Sequence, residues 1–162
     1  MDTKNLVPDP DYLRPNGSLS IARRILVELV FYVHFFVFLF VLFGGLIPSS
    51  WWSYRAEIHF YFSIIFFFLI FIWGAIWTFK FPEKLGKNQI YRVCFLDTLI
   101  QTARGYSLWD AKNYEHNFVK ELLYRLRLWN TNELYIWILL AAAILFTIFS
   151  FYLKQVHGIV LY

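Results

Sequence analysis

The chain has 162 residues, of which 59% are hydrophobic, 23% are aromatic and only 16% are charged. A soluble domain is typically about 45–50% apolar and about 25% charged, so this composition argues against an ordinary soluble domain. The net charge of +4 would suit nucleic acid, but the basic residues flank apolar segments, which is the pattern of a membrane protein. The single cysteine, Cys94, excludes an intrachain disulfide.

Two long apolar segments follow a polar amino-terminal tail. The tail, residues 1–24, contains prolines and a glycine and predicts irregular structure. Residues 25–46 and 58–79 are each long enough to cross the bilayer, because about 20 apolar residues in a helix span a hydrocarbon core of about 30 Å. The short link between them carries Trp51 and Trp52, which are typical of a membrane interface. The sequence therefore predicts a transmembrane hairpin.

A basic, more polar segment follows at residues 80–133. Its apolar run Val93–Ile100 is too short to span a membrane and contains Asp97, so we expect it to lie on or dip into the interface. Residues 116–129 show apolar positions at i, i+3 and i+4 with basic residues between them. This pattern predicts a short amphipathic helix in the headgroup plane; packing against a partner subunit is the alternative.

A third apolar segment, residues 134–153, contains no charged residue and precedes a short tail at residues 154–162. Small side chains permit close approach of helices in membranes. They predict a packing interface on this span, formed by Ala141, Ala143, Thr147 and Ser150. The predicted fold is thus an all-α membrane protein with three transmembrane helices and a short interfacial amphipathic helix.

The distribution of lysine and arginine predicts the orientation of the chain. Residues 1–24 and 80–133 carry 13 of the 15, whereas the first link has Arg55 and the carboxy-terminal tail has Lys154. Cytoplasmic segments are enriched in these residues. We therefore expect the amino terminus and residues 80–133 to be cytoplasmic and the carboxy terminus to lie on the opposite side.

Ionisable residues within a span are candidates for function, because burying them in lipid is costly. Glu28 is expected to pair with Arg24 one helical turn away. His34 lies near the middle of the first span, where it is either a ligand of haem, metal or quinone, a proton relay, or an imidazole hydrogen-bonded to another helix.

Two further histidines complete the candidate set. His59 is expected to line the outer interface with Glu57, about 12 Å from His34 in depth, which argues against one haem shared by both histidines. His116 begins the amphipathic helix and is expected to contribute to its capping rather than to catalysis, with Asp110 or Asn113 as the cap. The candidate haem or quinone contacts are therefore His34, His59 and His116.

No catalytic residue and no metal site is predicted, because the sequence has no HExxH, paired CxxC, phosphate-binding loop or nucleophile elbow.

The run Leu29–Leu46, with His34 upstream of Gly44-Gly45, resembles the first span of small bacterial membrane proteins of the domain of unknown function 2784 family. A tryptophan-rich link, a histidine near the start of the second span (His59) and a later Glu115-His116 followed by paired leucines occur in the same order. The resemblance implies three transmembrane helices and a bacterial inner membrane, and it implies no reaction.

These features predict a non-enzymatic integral membrane protein that acts as an accessory or stabilising subunit of a larger membrane assembly. Its expected partners are the lipid bilayer and other membrane subunits, not nucleic acid. The alternative is a haem- or quinone-binding redox protein that uses His34 together with His59 or His116. A lipid-handling role for the amphipathic helix is a third hypothesis.

Overall fold

The computed structural model describes residues 13–48, 50–81, 93–110, 112–128 and 133–157, and all its regular elements are helical within these ranges. In chain order the helices are α1 Ile21–Phe43, α2 Arg55–Lys80, α3 Phe95–Ala103, α4 Lys112–Glu115, α5 Phe118–Arg125 and α6 Glu133–His157. A 3₁₀ turn, Gly44–Leu46, extends α1. The all-α prediction is confirmed.

Three of these helices contain segments long and apolar enough to cross a membrane: Ile21–Leu46, Arg55–Lys80 and Ile138–His157. Large apolar side chains remain exposed along all three, as lipid contact requires, for example Phe36, Phe68 and Leu145. The predicted membrane-spanning segments are therefore borne out by helices of suitable length and hydropathy. This is the architecture of an integral membrane protein.

The link between α1 and α2 is fixed by a buried arginine. Arg55 Nη1 donates to the carbonyl oxygen of Gly45 at 2.7 Å and also to that of Ile47. Carbonyl groups at the end of a helix lack intrahelical partners and carry partial negative charge. The guanidinium therefore satisfies the end of the first span from the first turn of the second, which fixes the hairpin connection.

The third span packs along the other two. Phe60 of α2 stacks on Phe151 of α6 with ring centroids 4.0 Å apart. Near the carboxy-terminal end of α6, Lys154 Nζ lies 2.7 Å from the carboxylate of Glu57 and donates to the carbonyl oxygen of Ser53 at 2.9 Å. These contacts join the end of α6 to the start of α2.

The polar segment folds back onto the first half of α1. A core of buried side chains joins α1, α3 and α5: Val27, Phe31, Ile100, Ala103, Phe118, Val119 and Leu123. The amphipathic helix α5 is shorter than the predicted 116–129, and its apolar face packs against α1 and α3 where the sequence suggested lipid. Its cap is Asn117, whose side chain accepts from Val119 N at 2.9 Å. Asp110 instead caps α4, through Lys112 N.

Candidate functional site

A network of charged side chains is assembled where α3, α4 and α5 meet α1. It contains three acids and three bases: Glu28, Asp97, Arg104, His116, Glu121 and Arg125. Glu121 and His116 are almost completely buried, at 1% exposure each. Buried charges are tolerated when they are paired and hydrogen-bonded, and this set balances its own charge.

Glu121 is the centre of the network. Its Oε1 accepts from Arg104 Nη2 at 2.7 Å and from Arg125 Nη2 at 2.8 Å. Arg125 also donates from Nη1 and Nη2 to the two carboxylate oxygens of Glu28, at 2.6 and 3.0 Å. Glu28 therefore pairs with a residue of α5, and the predicted pairing within α1 to Arg24 is not the contact that holds it. The return of α5 to α1 brings the Arg125 guanidinium within reach.

His116 lies between two carboxylates. Its Nε2 is 2.5 Å from Glu121 Oε2 and its Nδ1 is 3.2 Å from Asp97 Oδ1. Burial alone would lower the pKa of His116, but the charge of Asp97 and hydrogen bonds that the imidazole donates to the two acids raise it instead. Burial alone would likewise raise the pKa of Glu121, but His116 and Arg104 lower it to about 2. Both shifts favour an imidazolium paired with a carboxylate.

Asp97 connects this network to the first span. Its Oδ1, the oxygen that contacts His116, also lies 3.5 Å from His34 Nδ1. The Nε2 atom of His34 lies 3.8 Å from Cys94 Sγ, and the His34 ring stacks on Phe118 with centroids 3.9 Å apart. Two of the three candidate histidines, His34 and His116, are thus brought to the same carboxylate.

An apolar cavity of about 320 Å³ adjoins His34. Its lining comes from all three spans and from the polar segment: His34, Phe38, Val41, Phe66, Phe67, Ile70, Phe71, Cys94, Asp97, Asn117, Phe118, Val119 and Leu140. Phe71 is also exposed on the outer surface of α2, so the cavity reaches the lipid-facing side of the bundle. Ligand cavities typically combine apolar walls with a few polar groups.

The cavity's thiol is protonated. Cys94 is buried, and burial together with the nearby charge of Asp97 raises its pKa far above the ordinary range. Reactive cysteines require a depressed pKa. Cys94 therefore offers the cavity a weak S–H donor, not a nucleophile.

His59, the third candidate, is held apart from the other two. Its Nε2 lies 3.0 and 3.1 Å from the carbonyl oxygens of Phe40 and Val41, and its Nδ1 lies 3.2 Å from Thr147 Oγ1. Carbonyl oxygens only accept, so Nε2 carries the hydrogen. The Thr147 hydroxyl beside Nδ1 also donates to the carbonyl oxygen of Ala143 at 2.8 Å. The expectation that His59 lines the outer interface is wrong: it is buried and links α1, α2 and α6.

The predicted small-residue interface is divided between buried and exposed positions. Thr147 and Ser150 are buried within the chain, Ala143 is partly buried and Ala141 is exposed. Within the described part of the chain, only Thr147 and Ser150 are therefore fully packed against other residues.

Sequence reasoning missed the two residues that organise the site. Asp97 carried a signal, since it is an acid inside an otherwise apolar run, but nothing linked it to His34. Glu121 follows the amphipathic pattern of an exposed acid and gives no signal of burial. No group of histidine, cysteine and acidic residues suited to a metal ion occurs among the described residues.

Comparison of the chain with protein-family models, with curated proteins and with solved structures found no match.

Proposed function

We propose that this chain binds an uncharged lipophilic molecule with a polar ring, of the quinone class, in the cavity beside His34. The observation that carries the proposal is the combination of an apolar cavity between the three spans with a polar cluster at its wall, His34, Cys94, Asp97 and Asn117. Phe66, Phe67 and Phe118 supply aromatic surface for a ring, and the opening past Phe71 offers entry from the bilayer. A volume of about 320 Å³ holds a substituted ring better than a complete isoprenoid chain, which would extend into lipid.

The positions of the histidines argue against a haem held by two of them. An axial ligand needs a ring nitrogen with a free lone pair. Both ring nitrogens of His116 face carboxylates, and both of His59 have hydrogen-bond partners. A haem held by two histidines would therefore need a second free ring nitrogen beside His34, which neither His59 nor His116 supplies. A hydrogen-bonded ring needs only the polar wall that is present.

The test is binding of a short-chain ubiquinone, in both its oxidised form and its reduced quinol form, to the protein in lipid nanodiscs, measured by native mass spectrometry. Ile70 lines the cavity, whereas Ile72 of the same helix does not and is partly exposed. We expect Ile70→Trp to lower occupancy at least tenfold and Ile72→Trp to leave it unchanged. Equal occupancy in both variants, or no saturable binding to the wild-type protein, would contradict the proposal. A Soret band in the purified protein that is lost in His34→Ala would favour haem instead.

A second proposal is that the chain is an accessory or stabilising subunit of a larger membrane assembly. The supporting observation is α6, in which only 6% of the spanning segment is buried within the chain. Ala141 and Ala142 lie exposed in this helix, and small residues suit close contact with another helix.

Native gel electrophoresis after mild detergent extraction tests the subunit proposal. We expect Ala141→Trp to shift the chain from a large complex to its own mass, whereas Leu145→Trp, at an already bulky exposed position, should not. Migration of the wild-type chain as a monomer in native extracts would contradict the proposal.

We further propose a bacterial inner membrane location, with the amino terminus and residues 80–133 in the cytoplasm, and membership of the domain of unknown function 2784 family. The bias of lysine and arginine supports the orientation, and the order of the histidines supports the family. Protease mapping in inverted vesicles tests the orientation: cleavage in the amino-terminal tail of intact inverted vesicles is expected, and protection there would reverse it.

A further inference from the structure

We propose that the cavity selects ligands whose polar group donates a hydrogen bond, such as a phenol or a quinol, over ligands that only accept, such as an ether or an oxidised quinone. This inference deepens the proposed lipophile site and rests on it. It follows from the hydrogen assignment of the two nitrogens of His34.

The Nδ1 side of His34 faces an acceptor. Asp97 Oδ1 lies 3.5 Å from this nitrogen, a close contact without hydrogen-bond geometry, and a carboxylate oxygen accepts hydrogen bonds. A lone pair on Nδ1 would face negative charge, whereas an Nδ1–H bond is attracted to it. The carboxylate therefore favours the tautomer with hydrogen on Nδ1, in the way that acids behind ligating histidines fix their tautomer.

His116 contacts the same oxygen of Asp97. Its Nδ1 lies 3.2 Å from the same oxygen that faces His34, and its other nitrogen is bound to Glu121. Glu121 is in turn bound by Arg104 and Arg125. The network thus fixes the orientation of Asp97 from outside the cavity, and these residues act as positioning residues for His34.

The Nε2 side of His34 then presents a lone pair. The nearest polar atom there is Cys94 Sγ at 3.8 Å, a weak donor at a long distance, and both residues line the cavity. A ligand hydroxyl is a stronger donor than a thiol and would bind Nε2 in its place. The remaining polar neighbour, Asn117, does not oppose this choice, because a hydroxyl oxygen also accepts from an amide. An ether or ketone oxygen placed at Nε2 would bring its own lone pair against the nitrogen lone pair, and the two would repel each other.

The first measurement needs no ligand. The ¹⁵N chemical shifts of histidine ring nitrogens distinguish the two neutral tautomers, and His34→Gln identifies the resonances among the four histidines. We expect His34 to carry hydrogen on Nδ1, and to move toward the opposite tautomer or a mixture in Asp97→Leu, which removes the acceptor. Hydrogen on Nε2 in the wild-type protein would overturn the inference.

The second measurement compares 4-nonylphenol with its methyl ether in nanodiscs, with affinities referred to mole fraction in the bilayer. We expect the phenol to bind at least tenfold more tightly, and the preference to disappear in His34→Phe but persist in His157→Phe, which lies at the end of α6 away from the cavity. Equal binding of both compounds would overturn the selectivity while leaving the lipophile site in place. Absence of saturable binding by either compound and by the short-chain ubiquinone would overturn both proposals. If His34→Phe does not fold, the wild-type preference and the tautomer still decide the question.

Discussion

His116 Nε2 and Glu121 Oε2 lie 2.5 Å apart in a site that excludes water from both side chains. The two residues are five positions apart in the chain, and the turn at Asn117 that starts α5 is what brings them together. Each also has a partner from the α3 region: Asp97 of α3 for the histidine and Arg104, the residue that caps the end of α3, for the glutamate. The pair therefore joins α3 to α5 as well as supporting the orientation of Asp97 next to the cavity.

Neutralising Glu121 should be strongly destabilising. Glu121→Gln removes the carboxylate that neutralises buried Arg104 and one of the two beside His116, and removing one partner of a buried ion pair costs about 3–5 kcal/mol. Lys120→Gln changes an exposed neighbour in the same helix and serves as the matched control, with an expected change below about 0.5 kcal/mol. Equilibrium unfolding in mixed micelles measures both. Equal stability of the two variants would show that the network does not hold the polar segment in place.

The same pair gives stability a dependence on pH with two limits. The pKa of Glu121 is lowered to about 2 in the folded protein, so its contribution is complete above the unfolded value of about 4.3 and is lost as pH falls from there toward about 2. The pKa of His116 is raised, so its contribution is complete below about 6.5 and is lost as pH rises through its folded value. Unfolding measured from pH 3 to 9 should show maximal stability between these limits. In His116→Gln the loss of stability at alkaline pH should be smaller. The same loss in this variant as in the wild-type protein would show that His116 does not cause it.

Removing the outer member of the network should cost little. Glu28 and Arg125 pair at 2.6 Å, but their side chains are 49% and 30% exposed, and ion pairs in contact with solvent typically contribute about 0.2–1 kcal/mol. Arg125 also keeps Glu121 as a partner in Glu28→Gln. We therefore expect a loss below about 1 kcal/mol, measured by the same unfolding assay. A loss as large as that of Glu121→Gln would mean that Glu28 is shielded from water by lipid or by another chain.

The spans were predictable from the sequence, whereas the site between them was not. Hydropathy and length identify a membrane helix because lipid imposes the same requirement on every span. The contacts of Glu28 show the limit: a sequence suggests the neighbour at i−4, but the guanidinium that binds this carboxylate is 97 residues away. Such a pairing depends on where the polar segment folds back.

His59 illustrates the same limit at the other end of the bundle. Depth estimated from helix rise places it near the surface of the second span, and the estimate says nothing about what covers it. The close approach of the α1 terminus at Gly44 and Gly45, together with Thr147 of α6, buries the ring. The double glycine lies at the end of the first apolar segment, and its contact with a histidine could not be predicted from the pattern.

That contact makes a prediction for the two glycines. A Cβ added at Gly44 would lie 2.7 Å from His59 Cδ2 and 2.9 Å from the ring of Phe40, whereas one at Gly45 would lie 3.3 Å from His59. Overpacking in a well-packed region costs about 1–3 kcal/mol. The loss of stability in Gly44→Ala should therefore lie within that range, and the loss in Gly45→Ala should be smaller, as measured by thermal unfolding in detergent. The opposite order would show that the His59 ring moves aside readily at Gly44.

Cys94 should react slowly with thiol reagents while the protein is folded. Its thiol is buried, and burial with the charge of Asp97 raises its pKa, so both access and thiolate formation are suppressed. We expect labelling by a membrane-permeant maleimide to be at least a hundredfold slower than in denatured protein. Ser18→Cys combined with Cys94→Ala places the thiol at an exposed position before α1 and should label rapidly without denaturant.

Faster labelling of Cys94 in Phe118→Ala would indicate that the ring stacked on His34 also closes the path to the thiol, because Phe118 lines the same cavity. Rapid labelling of the folded wild-type protein would mean that the polar segment does not remain packed against the first span.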